Sequence, residues 1–187
     1  TERLVGEGIG AFWHDIVART NHPLSLSAYQ RRGGVQPRRP PRTHAKDVGP
    51  GTVATGATWE VSAASVEHVQ PYLDSLAYRI DSDEGSIVFS GDTRPCESLA
   101  ELATGADMLV MECIKLTKDM EGTPSADSET GTYGAAQIAK DAGVKRLVLC
   151  HQALSLEKPE SRTQAIGEVR SIFSGSTIWG EELLEVP

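Results

Sequence analysis

The chain has 187 residues, 39% of them hydrophobic, 24% charged and only 5% aromatic, which fits one domain with a core of Val, Ile, Leu and Ala. A net charge of −8 and a pI near 5.1 make nucleic acid a less expected partner, since bulk charge repels it. Cys96, Cys113 and Cys150 form no C-x-x-C pair, no signal peptide opens the chain, and no apolar run approaches the roughly 20 residues that span a bilayer, so a cytoplasmic protein without membrane association is expected.

In chain order, Leu4, Val5, Ile9, Phe12, Trp13, Ile16 and Val17 recur at helical spacing and predict an amphipathic helix over 1–20. Residues 21–50 hold Pro23, Pro37, Pro40, Pro41 and Pro50, the Gly33-Gly34 pair and the cluster Arg31, Arg32, Arg38, Arg39 and Arg42. Such a stretch predicts a Pro/Arg-rich loop or lid without a regular element. Strands follow at Trp59–Val66, Leu76–Ile80 and Ser86–Ser90, the last two joined by the turn Asp81–Gly85. A short helix is expected near 95–104, and an apolar strand at Met108–Met111. A polar loop covers 114–131, and a helix over 131–142 ends at Gly143. The strand Arg146–Cys150 precedes a helix over 159–173 stopped by Gly175, and short strands are expected at Thr177–Trp179 and Leu183–Val186. Hairpin material followed by alternating β and α predicts an α/β fold with a mixed sheet.

Three residues with metal-ligating side chains each follow a predicted strand: His68 after Val66, Asp92 after Ser90, and His151 after Cys150. Strand ends on one side of a sheet are where α/β proteins build sites, and imidazoles with a carboxylate are zinc-type donors. Singly, a histidine there is ordinarily a rim residue and the Gly-Asp-Thr aspartate a turn or helix cap. The combination carries the reading. Cys150 is read as packing rather than as a nucleophile. His14, His22 and His44 are read as surface or packing residues, with a lid histidine able to reach substrate; Trp13 and Tyr29 as candidates for a pocket mouth or dimer contact, with core packing the default for Trp13; and the arginines as a solvated basic patch able to clamp an anion.

The run Val88-Phe89-Ser90-Gly91-Asp92-Thr93, the strand Asp107–Glu112, the segment Ala135–His151 and the ending Gly180–Val186 resemble the ribonuclease Z and arylsulfatase-like branch of the metallo-β-lactamase superfamily over about residues 48–187. Ala64-Ser65-Val66-Glu67-His68 and Ala77-Tyr78-Arg79-Ile80 are similar to that family's middle histidine and following strand. The resemblance implies the C-terminal portion of an αββα sandwich, a single domain over 1–187 lacking its N-terminal part, because the family's His-x-His-x-Asp-His does not occur in this chain. It implies two zinc ions, with manganese or iron as alternatives, held by His68, Asp92 as the bridge, and His151, with a metal-activated hydroxide as nucleophile. At the position of the family's proton-donating histidine stands Glu129, with Thr130 beside it, so Glu129 is the candidate acid. A hydrolase of small esters, lactones or phosphodiesters is the leading expectation. A ribonuclease Z-type tRNA 3′-end endonuclease and a non-catalytic fold remnant are the alternatives, and a homodimer is possible by resemblance.

Overall fold

The structure, a computed structural model, describes residues 23–37 and 48–186. The chain divides into two compact units, 1–48 and 49–187. The expected helix over 1–20, His14, His22, His44, Arg38, Arg39 and Arg42 lie outside the described residues.

In the first unit, helix α1 (Pro23–Arg31) occupies the stretch expected to lack regular structure. Proline is tolerated in the first helical turn, where its missing N–H costs nothing, and Leu24–Arg31 contains neither Pro nor Gly. Gly33 at φ 85° and a Gly34 amide bonded to the Tyr29 carbonyl close the helix.

The second unit is built on one seven-stranded sheet whose spatial order is the chain order. The strands are β1 (Gly51–Thr55), β2 (Trp59–Val66), β3 (Ser75–Ser82), β4 (Gly85–Phe89), β5 (Met108–Glu112), β6 (Arg146–Cys150) and β7 (Ser176–Trp179). β1 to β4 are antiparallel neighbours, and β4 to β7 are parallel neighbours. The mixed sheet expected from sequence is therefore present. Each parallel step is crossed by a helix: α2 (Glu97–Ala103), α3 (Thr132–Ala142) and α4 (Pro159–Arg170). α2 packs on α3 and α3 on α4, forming one layer over the sheet.

The sequence accounts for these elements locally. In α3, Ala135, Ala136, Ile138, Ala139 and Ala142 repeat on one stripe and are buried, and Gly143 at φ 66° supplies the left-handed cap. β5 and β6 read as near-continuous apolar runs because a parallel strand is covered on both faces. Register pairs Val88 with Leu109, Leu109 with Leu147 and Met111 with Leu149, all buried in the main core. Each fully buried leucine there contributes roughly 1.5–3 kcal/mol from apolar burial. On the opposite face Ile87, Met108, Val110, Val148 and Cys150 border an open cavity of 570 Å³, whose other wall is formed by residues of 180–186.

Two expected boundaries shift. α4 ends at Arg170 rather than 173, which leaves Phe173 free to turn into the core. Leu183–Val186 is not a strand: Leu183 sits at φ 62° and is 94% exposed, a backbone that cannot continue an extended ladder.

Candidate metal centre

Because β2 and β4 are both antiparallel to β3, and β4 to β6 are mutually parallel, β2, β4, β5 and β6 all end at the same edge of the sheet. His68 follows β2, Asp92 follows β4, Glu112 closes β5 and His151 follows β6. The topology therefore brings four chemically capable side chains to the C-terminal edge, where parallel sheets place their sites.

Asp92, Glu112 and His151 offer ligand atoms that all lie within 4.8 Å of one another. His151 Nδ1 is 3.1 Å from an Asp92 carboxylate oxygen and 3.4 Å from Glu112 Oε2. The Asp92 and His151 side chains are each about half exposed, whereas Glu112 is 1% exposed. Two positions are held in left-handed backbone. Gly91 has φ 62°, and a Cβ there would sit 3.3 Å from the Leu76 carbonyl, so glycine is favoured before Asp92. His151 has φ 57°, an unfavourable region for a non-glycine residue and one that concentrates at functional sites.

His68 reaches the same edge by a different route. An isolated antiparallel bridge joins Glu67 to Arg94, and the Glu67 amide donates to Thr93 Oγ1 at 3.0 Å. His68 Nδ1 donates to the Ser128 carbonyl at 2.8 Å, since a carbonyl can only accept. That leaves Nε2 as the lone-pair nitrogen of the neutral ring. His68 is not among the three residues whose ligand atoms fall within 4.8 Å. The structure thus brings Asp92 and His151 into one group with Glu112, and leaves His68 outside that group, at the end of β2 on the same edge of the sheet.

Glu112 is not among the site residues expected from sequence. The available signal was a carboxylate ending the apolar strand Met108–Met111, in register with Cys150 and one step from His151. Glu112 Oε1 accepts the Thr130 amide at 2.5 Å, and the Glu112 amide donates to Ser90 Oγ at 3.2 Å. Burial pushes its carboxyl up to about 7, against the hydrogen bonds from the Thr130 backbone and the His151 ring, which pull it down. The loop carrying Thr130 is pinned in turn, since Thr130 Oγ1 donates to the Thr93 carbonyl at 2.6 Å.

Glu129 lies between Ser128 and Thr130, the two residues whose backbones hold His68 and Glu112. Its Oε2 is buried without a hydrogen-bond partner among the described residues. Cys150 lines the open cavity on the face away from the helices, so the packing expectation holds only in part. Burial raises its thiol to about 11 and that of Cys113 to about 12. Neither offers a thiolate nucleophile near neutral pH.

The donor set suits a divalent transition metal. Carboxylate oxygens and imidazole nitrogen are the ligands zinc, manganese and iron accept, and two half-exposed donors leave the site open to solvent.

Comparison with known proteins adds the family. Residues 16–152 match the Beta-lactamase superfamily domain. The whole chain is 31% identical over 193 residues to the "Putative ribonuclease Z" of Mycobacterium tuberculosis strain CDC 1551 / Oshkosh, spanning 80% of that protein. It is equally similar to the ribonuclease Z of strain H37Rv, of whose length the chain spans 65%. Among solved structures, the metallo-beta-lactamase fold protein YhfI from Bacillus subtilis aligns with a TM-score of 0.62 at 17% identity, over 86% of this chain and 60% of that one.

Proposed function

The chain belongs to the metallo-β-lactamase superfamily of hydrolases, in its ribonuclease Z-like branch, and on that basis we propose that it serves a metal-dependent phosphodiester hydrolysis of the ribonuclease Z type, cutting tRNA precursors at their 3′ ends. The observation that carries this reading is the convergence of Asp92, Glu112 and His151 at the ends of three consecutive parallel strands. The phosphodiester takes precedence over the ester or lactone first expected, because the curated relatives over the whole chain are ribonucleases. RNA therefore moves ahead of a small molecule as substrate, despite the net charge of −8.

In this reading Asp92, His151 and His68 would hold the metal, with zinc the best match to their chemistry. When bound, the metal supplies Lewis acidity toward the scissile phosphorus–oxygen bond and acidifies a water toward neutrality. The chain's own residues do the rest. His68 and His151 each offer a ring nitrogen, Asp92 supplies negative charge, and the left-handed backbone at Gly91 and His151 sets the turns that carry Asp92 and His151. Glu129, with one buried unpartnered oxygen, is the group assigned to deliver a proton to the leaving oxygen.

The test compares cleavage of a tRNA precursor bearing a 3′ trailer with hydrolysis of a p-nitrophenyl ester, each with and without chelator. The expected result is trailer removal that chelation abolishes, zinc restores and Asp92→Ala lowers by roughly 100-fold. Chelator-resistant cleavage, or full activity in Asp92→Ala, contradicts the reading. Preference for the ester would return the small-molecule alternative.

A further inference from the structure

Resting on the metal-centre reading, we propose that Glu112 is a positioning residue that holds His151 in the Nδ1–H tautomer, leaving Nε2 to face the metal. Three observations carry this. First, the two acidic members of the group differ in access: the Asp92 side chain is 51% exposed and that of Glu112 1%. An ion arriving from solvent meets Asp92 and His151, while Glu112 lies beneath them. Second, both Glu112 oxygens have partners, Oε1 the Thr130 amide and Oε2 the His151 Nδ1 at 3.4 Å, a nitrogen that also lies 3.1 Å from an Asp92 carboxylate oxygen. A carboxylate occupied on both sides acts on a ring better than on an ion. Third, the loop that fixes Glu112 also fixes His68. The Thr130 amide holds the carboxylate, and two residues earlier the Ser128 carbonyl takes the His68 Nδ1–H.

Loop 128–130 is thus a single clamp on both imidazoles, directly at His68 and through Glu112 at His151. Both rings are set to the same tautomer by acceptors at Nδ1. Metal-binding histidines depend on such an acceptor to orient the ring and raise its basicity. Within this clamp a Gln at 112 keeps the shape but has one acceptor oxygen where Glu has two. It cannot satisfy both the Thr130 amide and the His151 ring.

The experiment uses the 187-residue chain and two readouts. Long-range nitrogen–proton NMR of the metal-free protein reports the His151 tautomer, and calorimetric titration with zinc alone reports affinity. The expected result is Nδ1–H in the wild type and in Asp92→Ala, where Glu112 remains the acceptor. Glu112→Gln is expected to show a shifted tautomer population and a zinc affinity roughly 10–100-fold weaker. An unchanged tautomer in Glu112→Gln overturns the proposal, as does a shifted tautomer with wild-type zinc affinity. Should Glu112→Gln fail to fold, Asp92→Ala decides alone, because an Nε2–H ring there is incompatible with a hold by Glu112. If the wild type takes up no zinc, the metal-centre reading fails, and the tautomer measurement still decides what Glu112 does.

Discussion

At the scale of single residues, the site depends on side chains set by left-handed backbone. Gly91 and His151 both sit at positive φ, one beside the central carboxylate and the other at the group's histidine. Gly91→Ala would place a methyl group in the left-handed region, at about 1–2 kcal/mol, and press it toward the Leu76 carbonyl. The expected outcome is a loss of that size in urea unfolding together with weaker zinc binding, because Asp92 moves with its neighbour. Unchanged stability would show that the turn tolerates a side chain. Asp92 and His151 were legible as chemistry because each follows a strong apolar strand. Glu112 was not, because its importance comes from burial: nothing in a strand's last residue announces that a loop 18 positions later will donate an amide to it.

At the scale of elements, the polar pins at the opposite edge are as telling as the core. Asp107 accepts the Ser86 amide at 2.8 Å and Lys145 Nζ at 2.5 Å, tying the start of β4 to β5 and to the approach to β6. These bonds, the one from Lys145 first, pull its carboxyl down to about 2. A carboxylate so depressed stabilises the fold above its ordinary pKa of about 3.9, and that contribution disappears as the pH falls through about 2. Asp107→Asn should therefore lose less stability than the wild type between pH 4 and pH 2 in thermal unfolding followed across that range. Parallel acid profiles for the two would contradict the assignment. Arg79 plays a comparable part for α2, donating to the Leu102 and Thr104 carbonyls at its C-terminal end while pairing with Asp81. Periodicity and Gly143 announced α3 and β6 in the sequence. α1 was missed because proline and arginine density outweighed an eight-residue stretch free of breakers, and Leu183–Val186 was over-read because composition does not report a single left-handed residue.

At the scale of the whole molecule, strand order equals chain order, so every βα step adds its helix to the same layer and every parallel strand delivers its end to the same edge. That architecture, more than any one motif, is why residues 92, 112 and 151 meet although nearly 60 positions separate the first from the last. The mixed α/β sheet could be read from hairpin signals followed by alternating strands and helices. The contact between ligands could only be inferred, since spacing along a chain carries no distance across a sheet.

The central claim is that this edge is a metal centre, and calorimetric titration of zinc into the chain, compared with Asp92→Ala and His151→Ala, tests it most directly. The account predicts saturable binding in the wild type and at least a roughly 100-fold loss of affinity in each variant, with folding intact by circular dichroism. Equal zinc binding by all three proteins, or none by the wild type, would contradict it.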